Sequence, residues 1–213
     1  MKKVLVVGST SGIGKELKNL LEDCSYEVVS FSRQSGVDIT DEKPLFPLID
    51  GFLDAIVYCP GTINLKPFAS LTIEDFQKDF AVNFLGAVKV IQHYLKQLTE
   101  GASIVLFSSV AVRKGFIYHS SIASAKGAIE GFVKSFAQEM APKIRINAIA
   151  PSLTETPLST FLTSDLKKRE VSIKKHPLGR LGTPQDMAYI AEYLVSDKSS
   201  FITGQVIGVD GGI

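Results

Sequence analysis

The sequence predicts an α/β domain of the Rossmann type, with a doubly wound parallel sheet and helices on both faces. Three observations support this prediction. Short β-rich runs alternate with helical patterns along the 213 residues. The strand-like runs are almost continuously apolar, which is typical of strands buried on both faces. A glycine-rich turn separates the first strand from the first helix. No linker, repeat or low-complexity tract divides the chain, so we predict a single domain over residues 1–213.

The predicted elements follow one another in strand–helix order from the N-terminus. β-branched and apolar runs bounded by turn residues predict strands at Val4–Val7, Glu27–Ser32, Ala55–Tyr58, Ser103–Ser108, Ile144–Ala148 and Gln205–Val209. Apolar residues at helical spacing predict helices at Gly14–Glu22, Thr72–Leu98 and Ala123–Met140. Strands that alternate with helices form βαβ units, which require parallel strands.

Composition and charge exclude several classes of function. The formal net charge is +1, which gives no electrostatic reason to expect nucleic acid or an anionic membrane as a partner. The two cysteines have neither metal-ligand nor redox spacing, and a reduced cytosolic interior explains them without a disulfide. The first apolar run breaks at Gly8, too early for a signal peptide or a membrane span. We therefore predict a cytoplasmic protein with no metal site and no membrane contact.

The glycine-rich turn is the first candidate binding site. Glycine lets the chain turn tightly and lets its backbone approach a ligand closely. The helix that follows offers free N–H groups and a positive dipole end to a phosphate. The turn therefore predicts a dinucleotide site, and its candidate cofactor-binding residues are Gly8, Thr10, Ser11, Gly12, Ile13 and Gly14.

The end of the second strand predicts which dinucleotide binds. In such sites an acidic residue at this place bonds a ribose 2′-hydroxyl and repels a 2′-phosphate. Here the strand ends at Ser32 and Arg33. A hydroxyl and a guanidinium suit a 2′-phosphate, which arginine binds as a fork. We therefore predict NADP(H) as the cofactor.

Motifs along the whole chain resemble those of the short-chain dehydrogenase/reductase family, and most closely its 3-oxoacyl-carrier-protein reductase and enoyl reductase branches. The glycine loop matches the family pattern, Asp38-Ile39 resembles the pair that contacts adenine, and Cys59 and Gly61 lie in the family's Asn-Asn-Ala-Gly segment, of which only the glycine is retained. Pro151, Thr154 and Thr156 resemble the loop that holds the nicotinamide, with Ser152 replacing the usual glycine. The resemblance therefore implies cofactor contacts from Asp38, Ile39, Cys59, Gly61, Pro151, Thr154 and Thr156.

The resemblance also implies a catalytic set in which one member is replaced. Asn83, Ser109 and Lys126 match the family's active-site asparagine, serine and lysine, and Lys126 is also expected to bind the nicotinamide ribose. The family's tyrosine, which donates a proton, stands four residues before the lysine. That position holds Ile122, which can neither ionise nor donate a hydrogen bond.

Three alternatives follow from Ile122. Another residue supplies the proton, and we predict Tyr118, with its neighbour His119 as the other candidate. Alternatively, the enzyme reduces an activated C=C bond. Alternatively, the protein binds NADP(H) without turnover and acts as a sensor, scaffold or partner subunit.

The prediction for the whole protein is an NADP(H)-dependent reductase acting on a small carbonyl or acyl-thioester-activated substrate. The chain is shorter than the usual family length, and residues are missing between Arg33 and Asp38 and after Thr156. Residues 158–176 are expected to form a lid over the substrate.

The lysines at 167, 168, 174 and 175 are interpreted as a solvated helix face, with an anionic substrate tail as the less favoured interpretation. The family's usual assembly implies a homodimer or homotetramer.

Overall fold

The structure is a computed structural model that describes residues 1–213, and its centre is one six-stranded parallel sheet. The strand order is β2-β1-β3-β4-β5-β6, and every neighbouring pair is parallel. The strands are β1 Lys3–Val7, β2 Glu27–Phe31, β3 Leu53–Tyr58, β4 Leu98–Phe107, β5 Ile144–Pro151 and β6 Val206–Val209. From β1 the chain passes to β2 on one side, and it later continues to β3 on the other side of β1. This reversal at the carboxyl ends of β1 and β3 is where ligands bind in open α/β sheets.

Helices cover both faces of the sheet, as predicted. They are α1 Gly12–Asp23, α2 Ile73–Phe80, α3 Gly86–Tyr94, α4 Val110–Lys114, α5 Ser120–Met140, α6 Thr160–Thr163, α7 Leu166–Lys174 and α8 Pro184–Val195. Successive residues of β1 point to opposite faces. Leu5 and Val7 belong to the core under α3 and α5, whereas Val4 and Val6 belong to the core under α1 and α8. A strand buried on both faces explains the continuous apolar run in the sequence.

The predicted helix Thr72–Leu98 is interrupted in the structure. A π-helical segment, Ala81–Leu85, separates α2 from α3, and the helical path ends in a 3₁₀ turn at Leu95–Gln97, so Leu98 opens β4 instead. The Tyr58 hydroxyl donates a hydrogen bond to the Val82 carbonyl at 2.5 Å. A side chain from β3 thus bonds a main-chain carbonyl of the π-helical segment. Periodicity in the sequence does not reveal this contact.

The shortened segment after β2 changes the edge of the sheet. Residues 36–52 contribute no strand, so β2 is the outer strand on this side. A single 3₁₀ turn at Arg33–Ser35 replaces the helix expected for a longer family member. The side chains of Val37, Ile39 and Ile49 still pack into the core beside α3. The shortening therefore leaves the carboxyl ends of β1 and β3 intact.

No helix in the structure combines the length and the apolar character needed to cross a bilayer. No group of histidine, cysteine, aspartate or glutamate side chains has a metal-binding arrangement.

Candidate active site

The turn between β1 and α1 forms a cradle of backbone amides. Gly8 and Gly12 have positive φ angles of 81° and 51°, which side chains rarely allow. A Cβ at Gly14 would lie 2.3 Å from the Gly8 carbonyl oxygen, so only glycine fits where the helix meets the turn. The Ser11 side chain makes no capping hydrogen bond, which leaves the first amides of α1 free. A pyrophosphate fits such an amide cradle at a helix N-terminus.

The residues predicted to meet the adenosine lie beside this turn, at the end of β2. Ser32 is buried and caps the 3₁₀ turn by accepting a hydrogen bond from the Gln34 amide at 3.2 Å. Arg33 is exposed and forms no ion pair. Hydrogen bonds from Thr40 hold the pKa of Asp38 below its usual value. The guanidinium is thus available to an anionic ligand, while the Asp38 carboxylate already accepts two hydrogen bonds from Thr40.

A large cavity continues from the cradle along the carboxyl ends of β3, β4 and β5. Its volume is about 840 Å³, which is within the range of small-molecule sites. The structure brings eight of the predicted site residues to its wall: Ile13, Cys59, Gly61, Ser109, Lys126, Pro151, Thr154 and Thr156. The loop after β5 also reaches the glycine turn, since a Cβ at Gly12 would lie 3.4 Å from the Thr156 Cβ. Ile13 and the loops after β3, β4 and β5 therefore border one cavity, whereas Ser32, Arg33, Asp38 and Ile39 do not line it.

Lys126 and Ser109 face this cavity from neighbouring elements. Lys126 is buried, and its Nζ donates a hydrogen bond to the Phe107 carbonyl at 2.7 Å. Burial lowers the pKa of Lys126 to about 8, although the Asp79 carboxylate favours its charged form. The Ser109 Oγ accepts a hydrogen bond from the Ala111 amide at 3.2 Å and caps α4. Its hydroxyl hydrogen has no acceptor in the protein and is free to bond a ligand oxygen.

Asn83 lies behind the cavity wall in a network that the sequence did not predict. Its Nδ2 donates to the Thr62 hydroxyl at 2.7 Å and to the Asp79 carbonyl at 2.9 Å. The buried Asp79 carboxylate accepts hydrogen bonds from Thr62 at 2.5 Å and Ser121 at 2.6 Å. This network fixes Asn83 against Gly61, where an added Cβ would lie 3.3 Å from the Asn83 Oδ1 and 3.7 Å from the Lys126 Nζ. The only signal for it in the sequence was an aspartate one helical turn before Asn83.

The structure separates the two predicted proton donors. Tyr118 has a positive φ of 69°, is 53% exposed and does not reach the cavity wall. His119 lines the cavity together with Ile122, one turn further along α5. The His119 Nδ1 lies 2.8 Å from the Ile117 carbonyl oxygen. A carbonyl only accepts, so Nδ1 carries a proton and Nε2 is the nitrogen left for a ligand. The predicted role of Tyr118 therefore has no geometric support and stays a prediction for mutagenesis.

A second histidine in the wall was not predicted. His176 is buried, with Nδ1 2.7 Å from the Ser172 carbonyl and Nε2 2.9 Å from the Ser152 hydroxyl. Both ring nitrogens are therefore engaged within the protein. The ring joins the end of the segment 158–176, the predicted lid, to the loop after β5. The serine at 152, in place of the family's usual glycine, was the one sequence signal that pointed here.

The fold and the cavity define a class of protein, an oxidoreductase that binds a nicotinamide dinucleotide at the edge of a Rossmann sheet. Comparison with known proteins agrees. The model of a family described as enoyl-(acyl carrier protein) reductase matches residues 9–213. The chain is 31% identical over 233 residues to the L-xylulose reductase of Bos taurus, covering 99% of this chain and 96% of that protein. It is 30% identical over 241 residues to the 3-oxoacyl-(acyl-carrier-protein) reductase FabG of Thermotoga maritima, covering 100% and 97%.

A crystal structure of a small-chain dehydrogenase in complex with NADPH superposes with a TM-score of 0.88 at 31% identity, covering 99% of this chain and 97% of that one. The chain belongs to the short-chain dehydrogenase/reductase family, as its motifs predicted.

Proposed function

We propose that this protein is an NADP(H)-dependent reductase of a small carbonyl compound or acyl thioester. The observation that carries the proposal is the placement of Lys126 and Ser109 in one cavity that opens from the amide cradle of α1. Reduction of a carbonyl develops negative charge on oxygen, and a free hydroxyl and an ammonium at the same wall stabilise that charge. The 3-oxoacyl-carrier-protein reductase and L-xylulose reductase among the relatives support carbonyl reduction.

Each residue has a defined task in the proposed reaction. The Ser109 hydroxyl donates a hydrogen bond to the substrate oxygen. The Lys126 ammonium, held by the Phe107 carbonyl, binds the ribose and adds positive charge beside the reacting centre. A bound nicotinamide supplies the hydride to the carbonyl carbon. The resulting alkoxide takes a proton from the protonated His119 at Nε2, and the neutral imidazole regains a proton from water.

His119 is the proposed acid because it lines the cavity and its Nε2 has no hydrogen-bond partner in the protein. It directly precedes the helical turn that holds Ile122, the position of the family's tyrosine. Tyr118 is mostly exposed. His176 uses both ring nitrogens for contacts within the protein. Asn83 is proposed to position Gly61 and Thr62 through its hydrogen bonds, rather than to exchange protons.

The preference for NADP(H) over NAD(H) rests on Arg33 and Ser32. An exposed guanidinium without an ion pair at the end of β2 suits a 2′-phosphate. The nearest carboxylate, Asp38, lies farther along the segment and is bonded to Thr40. The relative solved with NADPH supports the same cofactor.

The proposal extends to assembly and location. We propose a homodimer or homotetramer in the cytoplasm. Phe84, Phe132 and Phe136 form a partly buried aromatic cluster on the outer side of the π segment and α5, with ring centroids 5.9 and 5.2 Å apart. Such a cluster suits a contact between subunits. Cys24 is exposed and Cys59 is half-buried, and a reducing compartment would accommodate both without a disulfide. Light scattering at several protein concentrations tests the oligomeric state.

The test of the proposed function is oxidation of NADPH by the purified protein with matched 3-oxoacyl and 2-enoyl thioesters, with NADH in parallel. Turnover of the 3-oxo compounds with NADPH supports the proposal. Turnover of the enoyl compounds alone assigns the cavity to C=C reduction. Saturable NADPH binding without turnover of either series indicates a protein that has lost catalysis.

A further inference from the structure

One face of α7 and the residues that follow it form part of the cavity wall. The lining positions recur at helical spacing and are Lys167, Lys168, Val171, Ser172, Lys175 and His176. Lys174 lies in the same segment and is exposed like the three lining lysines, but it does not line the cavity. We call Lys167, Lys168 and Lys175 the cationic rim. The helix therefore turns three lysines toward the cavity and leaves a fourth outside it.

The cavity concentrates positive charge in a chain that is almost neutral overall. The whole sequence has 23 lysines and arginines and 22 aspartates and glutamates. The charged side chains of the cavity wall are Lys126 and the three lysines of the cationic rim, and no aspartate or glutamate lines it. None of the three rim lysines forms an ion pair, whereas the neighbouring Arg169 is paired with Glu155 at 2.8 Å. This segregation of charge was not visible in the linear sequence.

The cofactor does not account for the cationic rim. Its pyrophosphate fits the free amides of α1, and its 2′-phosphate fits Arg33, at the ends of β1 and β2. The rim belongs to the lid that follows β5. The rest of the wall is largely apolar and includes Leu65, Phe116 and Val171. A wall of this composition suits a ligand with an uncharged body and an anionic group.

We propose that the cationic rim binds a phosphate group carried by the substrate at the end remote from the reacting carbon. This inference rests on the proposed function and adds the chemical class of the substrate. Lysine is a mobile point charge that binds phosphate without fixed geometry. Three such groups around an opening favour a multiply charged phosphate over a single carboxylate. Under this proposal Lys167, Lys168 and Lys175 follow the less favoured interpretation of the sequence, an anionic substrate tail, and Lys174 keeps the interpretation as a solvated residue.

The test compares two thioesters with the same reacting group. Acetoacetyl-coenzyme A carries phosphates, and the acetoacetyl thioester of N-acetylcysteamine carries none. We expect kcat/KM with NADPH to be at least about tenfold higher for the coenzyme A thioester, because several ion pairs of modest strength add. The triple variant Lys167→Gln, Lys168→Gln, Lys175→Gln should remove this preference by raising KM for the coenzyme A thioester. Lys174→Gln is the matched control and should behave as wild type.

A binding experiment separates this inference from the proposed function. Coenzyme A and phosphate-free pantetheine are titrated into the protein–NADPH complex by calorimetry, which requires no turnover. We expect coenzyme A to bind more tightly than pantetheine, and the difference to shrink with added salt and in the triple variant. Equal binding of the two probes overturns the inference even if the enzyme turns over. Weaker NADPH binding by the triple variant, with unchanged coenzyme A binding, assigns the rim to the cofactor and also overturns it.

Discussion

Ile122 and Lys126 lie one helical turn apart on the buried side of α5, and both side chains line the same cavity. The lysine keeps the position that would place it beside a phenol, but its neighbour is a hydrocarbon. Its one protein acceptor is the Phe107 carbonyl. The remaining N–H groups of the ammonium therefore face the cavity, where a ribose hydroxyl or a substrate oxygen can accept them.

Ile122→Tyr tests whether the rest of the site still fits a phenol. The Lys126 charge should lower the pKa of the new hydroxyl and make it an effective acid. We expect turnover of a carbonyl substrate to rise at least about tenfold, which is the lower range for a positioned acid. The control is Ile122→Phe, which adds the same ring without the hydroxyl. If the two variants have the same rate and pH profile, the phenol has not reached the substrate.

His119→Gln and Tyr118→Phe separate the two candidates for the proton donor. Because His119 reaches the cavity and Tyr118 does not, we expect His119→Gln to lower kcat by about 10²-fold or more and Tyr118→Phe to change it less than about twofold. The reverse order of effects would return the role to Tyr118.

Arg33→Ala tests the choice of cofactor. Loss of a charge-assisted contact to the 2′-phosphate should weaken NADPH binding about tenfold to a hundredfold, while NADH binding changes little. Fluorescence titration measures both affinities without a substrate. Lys43→Ala removes an exposed cation from the same shortened segment and serves as the control. Equal losses for both cofactors would show that Arg33 does not contact the 2′-phosphate.

Lys126→Met should raise the free energy of unfolding at neutral pH and lower the enzymatic activity. Burial lowers the pKa of Lys126 from 10.5 to about 8, so between these values the unfolded chain binds more protons than the folded one. The contribution of Lys126 to stability therefore rises with pH across this interval. Below about pH 8, burial of the charged lysine lowers the free energy of unfolding by about 3 kcal/mol, and the methionine removes this cost.

Urea unfolding of wild type and Lys126→Met measures this difference. The gain in unfolding free energy should be largest near about pH 7 and should shrink toward about pH 10, because the wild-type amine is then neutral in the folded state. Lys134→Met, at an exposed position of the same helix, should show no such trend. A gain that is independent of pH would mean that Lys126 is not desolvated.

The sequence predicted the sheet because each strand is buried on both faces and leaves a continuous apolar run, as in Val4–Val7. It predicted the cofactor cradle because only glycine fits at Gly8 and Gly14. The predicted helix after Thr72 extended too far, to Leu98, because apolar periodicity continues from the helix into β4. Helices α4, α6 and α8 were not predicted, and α7 was anticipated only as a solvated helix face; α4 and α6 are short, and α7 has little apolar character.

The candidate site was predictable only where a motif marks it. Ser109, Lys126 and Gly61 carry such motifs and do line the cavity. Thr62, Asp79 and Ser121 carry none, and their hydrogen bonds join residues far apart in the chain. The orientation of Tyr118 was beyond sequence reasoning because it depends on one backbone angle in the loop before α5. Charge segregation at the lid likewise depends on which side of α7 faces inward.

The π segment Ala81–Leu85 has a consequence for insertions and deletions in this chain. A π turn holds one more residue than an α turn at the same place. Deleting one residue there would restore regular α-helical hydrogen bonding and shorten the spacing from Asp79 to Asn83 by one residue. Asp79 and Asn83 would then no longer face Thr62 together. The hydrogen-bond network around Thr62 therefore depends on the length of this stretch.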